Sequence, residues 1–159
     1  MQNTIYISGP ITDPHTGQPR EGWREDFDAV KKELIARGYD VISPVDVYNG
    51  ESELQRAEHS RAYWINMDLH LLFAEYSYGK LLGVYVIGSP QHARESYGVM
   101  CEVNFALSMG IPVFVRRYGE RQANNELLSI KAKGLKNYTR ELWRSVPKYK
   151  VRPADAPCL

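Results

Sequence analysis

Glu102 is the side chain on which chemistry in this sequence would turn. It stands in the run Ser96-Tyr97-Gly98-Val99-Met100-Cys101-Glu102-Val103-Asn104-Phe105-Ala106, among mostly apolar neighbours. A carboxylate in such company, one to two turns into a helix, either faces solvent or is held half-buried. Held so, it is a nucleophile or a base aimed at a ligand. Tyr6, in the middle of an apolar segment, is either a core aromatic or a hydroxyl donor. Asp68 lies between Trp64 and Leu72 and is either a surface residue or a second acid. Asp46, just after Pro44, either forms a turn or faces a ligand. Ser8-Gly9-Pro10 ends an apolar run, and a glycine there permits close approach of backbone to a bound molecule. Ser96 and Gly98 open a helix, where a serine caps free N–H groups and the same groups attract an anion.

Other chemistries have less footing. His15, His59, His70 and His92 show no metal-ligand spacing, so no zinc site is expected. Cys101 and Cys158 form no metal or redox pair by spacing. The sequence has no Gly-x-Gly-x-x-Gly, no Gly-x-x-x-x-Gly-Lys and no Gly-x-Ser-x-Gly, so the dinucleotide, P-loop and serine-hydrolase readings are unsupported. No cofactor is expected.

The elements that must position these residues follow from periodicity. Thr4 to Ser8 reads as a first strand and the Pro- and Gly-rich segment Ile11 to Gly22 as a loop. Trp23, Phe27, Val30, Leu34 and Ile35 recur at helical spacing through Arg37, with Gly38 as the stop. Tyr39 to Ser43 reads as a second strand ended by Pro44, and Val45 to His59 as polar and irregular. Arg61 to Tyr76 is helical, with apolar positions at Trp64, Ile65, Leu69, Leu72 and Phe73. Leu81 to Ile87 is almost wholly apolar, as a central parallel strand covered on both faces should be. A loop from Gly88 to Glu95, a helix from Tyr97 to Met109 and a strand from Ile111 to Val115 follow. Beyond Arg116 the pattern weakens; Asn125 to Ala132 and Thr139 to Ser145 read as short helices, and Pro147 to Leu159 as an extended arm. Strands alternating with helices predict an α/β fold with a parallel sheet. Ligands of such folds bind beyond the carboxyl ends of the strands. That places the loops after Ser8, Ser43, Ile87 and Val115 on one rim.

Composition bounds the rest. The 159 residues, 43% hydrophobic and 25% charged, predict one domain over 1–146 with a tail over 147–159. Twenty Lys plus Arg against 19 Asp plus Glu leave a net charge of +1, which argues against bulk electrostatic binding of nucleic acid. Lys131, Lys133, Lys136, Lys148 and Lys150 lie near Tyr138, Trp143 and Tyr149, a mixture read as a solvated face or a subunit contact before a nucleic-acid surface. No apolar run approaches ~18 residues, so no membrane span is expected. The first ten residues lack a basic region ahead of an apolar one, so no signal peptide is expected and a cytoplasmic setting is the default.

Five stretches in order resemble the nucleoside 2-deoxyribosyltransferase superfamily, which includes deoxynucleoside 5'-monophosphate N-hydrolases and related phage and prophage proteins. They are Thr4-Ile5-Tyr6-Ile7 with Ser8-Gly9; Ser43-Pro44-Val45-Asp46; Asn66-Met67-Asp68-Leu69; Leu82-Gly83-Val84-Tyr85; and Ser96-x-Gly98-x-x-x-Glu102 with Phe105-Ala106-Leu107-Ser108-x-Gly110. The resemblance covers residues 4 to about 129. It implies a flavodoxin-like (Rossmann-like) five-stranded parallel sheet with helices on both faces, and cleavage of a nucleoside's N-glycosidic bond. By resemblance Glu102 is the nucleophile, and Tyr6 donates a hydrogen bond that orients it and keeps it ionised. Asp68 assists departure of the base. Asp46 lies where base-edge contacts are expected, and Ser8, Gly9, Ile11, Thr12, Ser96 and Gly98 line the substrate. Asn125, or its neighbour Asn124, falls near an asparagine that reaches into an adjacent subunit's site, which implies a homo-oligomer with shared sites.

Two departures bear on the substrate. The family's transferases on free nucleosides carry an aspartate six residues before the nucleophile; here that position is Ser96, as in the monophosphate hydrolases. An aspartate about 4 Å from a phosphate costs on the order of 4 kcal/mol per charge pair at an effective dielectric near 20. Serine removes that repulsion, so the expected activity is hydrolysis of a (deoxy)nucleoside 5'-monophosphate. Pro10 and Thr12 stand where those hydrolases carry a serine and an arginine, with Thr12, Arg20, His92 and Arg94 as the candidates to replace the phosphate contacts. The alternatives are base exchange between deoxynucleosides and a non-catalytic module that binds a nucleotide or a protein.

Overall fold

The computed structural model describes residues 2–48, 59–88, 93 and 95–115. The elements are β1 (Thr4–Ser8), α1 (Trp23–Ala36), β2 (Asp40–Ile42), α2 (Pro44–Tyr48), α3 (Arg61–Ser77), β3 (Leu81–Val86), α4 (Tyr97–Ser108) and β4 (Val113–Val115). The strands form one sheet in the order β2-β1-β3-β4, and every pairing is parallel. The chain therefore has an α/β fold. The sheet shows four strands among the described residues; a fifth would come from residues 116–159, outside them. The expected helices at Asn125 to Ala132 and Thr139 to Ser145, and the arm from Pro147, also lie outside, as does the domain boundary at 146.

Strand alternation divides the core in two. Ile5 and Ile7 of β1 pack with Trp23, Phe27, Val30 and Leu34, so α1 covers one face of the sheet. Tyr6, between them, packs with Leu72 of α3 and with Val99, Val103 and Ala106 of α4 on the other face. In β3 the alternation slips: Thr4 pairs with Leu81 but Ile5 with Gly83. That irregularity explains why Leu82, Tyr85 and Ile87 share one cluster and Leu81, Val84 and Val86 the other. Gly83 is required by packing, because a Cβ there would lie 2.4 Å from the Phe114 ring and 2.8 Å from the Pro112 carbonyl oxygen.

One expectation is corrected. Val45 to His59 was expected to be irregular, with Pro44 ending the strand, but α2 begins at Pro44. The Ser43 hydroxyl accepts from Val45 N at 3.3 Å, and Asp46 Oδ2 accepts from Ser43 N at 3.3 Å. This is a reciprocal cap, and proline suits the first helical position because its missing N–H leaves no donor to satisfy. Residues 49–58 are outside the described set. No helix among the described residues is long and apolar enough to cross a membrane.

Candidate functional site

β1 is the inner strand between β2 and β3, and its period of two points Tyr6 and Ser8 to the same face. Both are fully buried. α4 lies on that face through the stripe Val99, Glu102, Val103 and Ala106, spaced i, i+3, i+4, i+7. Glu102 is thus the charged member of a core-facing stripe and is only 4% exposed. Its carboxylate meets the two hydroxyls of β1. Tyr6 OH donates to Oε1 at 2.8 Å, and Ser8 Oγ donates to Oε2.

Asp68 comes to the same place from α3 and is 6% exposed. Burial, and then the Asp68 carboxylate, push the Glu102 carboxyl from 4.5 up to about 8, while the Ser8 and Tyr6 hydrogen bonds pull it down. The Tyr6 hydroxyl acts in the expected direction, favouring the ionised form, while desolvation and the second carboxylate act against it. Burial and the mutual repulsion of the two carboxylates favour one proton held by the Glu102–Asp68 pair as a whole at neutral pH. Two buried carboxyl groups that together carry one proton can supply a nucleophile and an acid.

The remaining candidates divide. Ser96 is the N-cap of α4, its Oγ accepting from Val99 N at 3.4 Å. Gly98, one turn before Glu102, is half-buried, and a Cβ there would meet nothing within 4 Å among the described residues. Gly9 follows Ser8 directly, and a Cβ on it would lie 2.5 Å from Ile87 Cγ1 and 2.9 Å from Phe27 Cζ. Its smallness serves packing of the turn. Ile11 packs on the α1-side cluster, and Thr12 is exposed and bridges to Pro19. Arg20 reaches back to this turn, donating from Nε to the Pro10 carbonyl at 3.3 Å, and its Nη2 lies 2.8 Å from Asp26 Oδ2. Asp46 is exposed and holds Lys31 Nζ at 2.6 Å in addition to its capping bond, so its carboxylate serves the α1–α2 contact. His92, Arg94, Asn124 and Asn125 lie outside the described residues.

Sequence reasoning placed Ser8 against substrate and missed its bond to Glu102. The signal was present: Tyr6 and Ser8, two apart on one strand, must face the same way. Among the described residues no group of three or more His, Cys, Asp or Glu side chains is arranged to hold a metal ion. Compared with known proteins, the chain matches no family model, no curated protein and no solved structure.

Proposed function

We propose that this protein is an N-glycosidase that hydrolyses the base–sugar bond of a (deoxy)nucleoside 5'-monophosphate, with Glu102 as nucleophile. The observation that carries the reading is the buried Glu102 carboxylate, held by Tyr6 and Ser8, with the charge of Asp68 acting on it. A fully desolvated acid on a core-facing stripe weakens the fold, and such an arrangement is characteristic of a site built for proton or glycosyl transfer.

The chemistry runs in two steps. In the reactive form Glu102 is ionised and Asp68 carries the proton. A Glu102 oxygen attacks the anomeric carbon as the C1–N bond breaks; the electron pair goes to the base nitrogen, which takes the proton from Asp68. Water then attacks C1, gives its proton to Asp68, and the C1–O bond returns its pair to Glu102. The sum is nucleotide plus water giving free base plus sugar phosphate. The positive charge that develops on the sugar favours an ionised Glu102, which offsets the desolvation that protonates it beforehand.

With this reading go a flavodoxin-like sheet whose fifth strand follows Val115, a cytoplasmic homo-oligomer, and Asn125 reaching a neighbouring subunit's site. Ser96 at the start of α4 supports a phosphate before a bare sugar hydroxyl. The test is base release across a panel of nucleosides and their monophosphates, with and without an acceptor base. Free base from monophosphates by wild type, abolished in Glu102→Gln, supports the proposal. A new nucleoside formed only with acceptor base supports base exchange. No release from any member of the panel overturns the enzyme reading.

A further inference from the structure

We infer that Ser8 is a positioning residue for Glu102 and not a contact to substrate. The inference rests on the reading of Glu102 as the nucleophile. A carboxylate on a flexible side chain rotates broadly about its last torsion, so a single donor on one oxygen does not fix its plane. Here each oxygen has its own donor, Tyr6 OH on Oε1 and Ser8 Oγ on Oε2. Both donors spring from one face of β1, which is paired on both sides. At Ser8 itself the backbone is anchored by Ile87 N donating to Ser8 O at 2.8 Å. Two hydroxyls on a rigid strand therefore hold the carboxylate in one plane.

The arrangement leaves the chemistry open. Each carboxylate oxygen has two lone pairs, and one hydroxyl per oxygen leaves one pair on each to attack C1. In the glycosyl-enzyme one oxygen becomes the ester oxygen and the negative charge is gone. When water displaces it, the C1–O pair returns to the carboxylate, and both hydroxyls meet the charge as it develops. Ser8 thus acts on the reacting group through Glu102, in the formation and in the departure of the ester. Burial strengthens the effect, because a hydrogen bond in a low-dielectric interior is electrostatically stronger than one in water.

The experiment follows the Glu102 carboxyl carbon by NMR as pH is varied, in glutamate-labelled wild type, Ser8→Ala and Ser8→Thr, alongside base-release kinetics. The groups shown to act on Glu102 are Ser8 and Tyr6 from β1 and Asp68 from α3, and both variants leave Tyr6 and Asp68 in place. In Ser8→Ala the midpoint rises by roughly one pH unit, kcat falls roughly tenfold or more, and KM stays within about twofold. Ser8→Thr, which keeps the hydroxyl, returns the midpoint and kcat towards wild type. An unmoved midpoint in Ser8→Ala overturns the inference, and so does an unchanged kcat with a raised KM, the signature of a substrate contact. If the midpoint rises but wild type releases no base from any substrate, the hold on Glu102 stands and the glycosidase reading falls.

Discussion

Tyr6 and Glu102 stand 96 positions apart in the sequence, and the tyrosine hydroxyl lies 2.8 Å from the glutamate Oε1. Closing that distance requires the β1–β3 pairing and the packing of α4 across it, so the contact depends on the fold as a whole. Tyr6→Phe removes the hydroxyl and keeps the buried ring. Base release is expected to fall roughly ten- to a hundredfold in kcat, the size of a hydrogen bond to a charged group, with KM little changed. The variant also loses a bond that favours the anion, so Glu102 titrates at higher pH than in wild type. Steady-state kinetics check the first point; unchanged turnover removes Tyr6 from the mechanism.

In the proposed reaction the Glu102–Asp68 pair is expected to set the pH dependence. Glu102 titrates at about 8, so above that pH the pair loses the proton that the leaving base requires. kcat/KM is expected to hold near neutral pH and to decline above about 8. Asp68→Asn removes both the raising charge and the acid. Glu102 then ionises at lower pH, and base release slows by roughly a hundredfold or more. A wild-type rate that keeps rising well above pH 8 assigns the chemistry to ionised Glu102 alone.

The same titration makes stability fall with pH. Glu102 is raised in the folded state, from 4.5 to about 8, so its contribution is fully present below 4.5 and is lost as pH rises through about 8. The total is on the order of a few kcal/mol. Glu102→Gln cannot ionise and keeps acceptor and donor atoms for Tyr6 and Ser8. Urea unfolding at pH 5 and pH 9 is expected to show wild type losing stability between the two and the variant losing much less. Equal losses in both proteins contradict a buried carboxyl at this position.

How much of this was legible beforehand varies by element. Trp23, Phe27, Val30 and Leu34 repeat at helical spacing, and all four are buried in α1. Ile35, adjacent to Leu34, belongs to the same apolar count yet is 51% exposed, because one helix face meets the sheet and not two. Phe73 likewise ends 49% exposed on α3. The slip in β3 could not be read, since a strand buried on both faces has no alternation to betray its register. α2 was hidden because Pro44 signals both a strand's end and a helix's first residue. The burial of Glu102 follows from its place on the Val99–Val103–Ala106 stripe, whose apolar neighbours on adjacent turns direct that face of α4 towards the sheet. Asp68 carries no such mark; only the packing of α3 against α4 brings it inward.

Gly9 and Gly98 differ in what surrounds them, and the difference tests where the proposed substrate sits. A Cβ at Gly9 would press on Ile87 and Phe27, so Gly9→Ala is expected to cost roughly 1–3 kcal/mol and to disturb the end of β1. A Cβ at Gly98 meets nothing within 4 Å, and alanine is the better helix former. Gly98→Ala should therefore stabilise the fold by roughly 0.5–1 kcal/mol. It should raise KM, because the methyl enters the space assigned to substrate. Urea unfolding with steady-state kinetics reads both; a stabilised variant with unchanged KM places the substrate elsewhere.

The most direct measurement is mass spectrometry of the protein quenched during turnover of a deoxynucleoside monophosphate. The account predicts a transient mass increase of one sugar phosphate, carried by the peptide that contains Glu102 and absent from Glu102→Gln. Rapid base release with no covalent adduct, undiminished by Glu102→Gln, would contradict it.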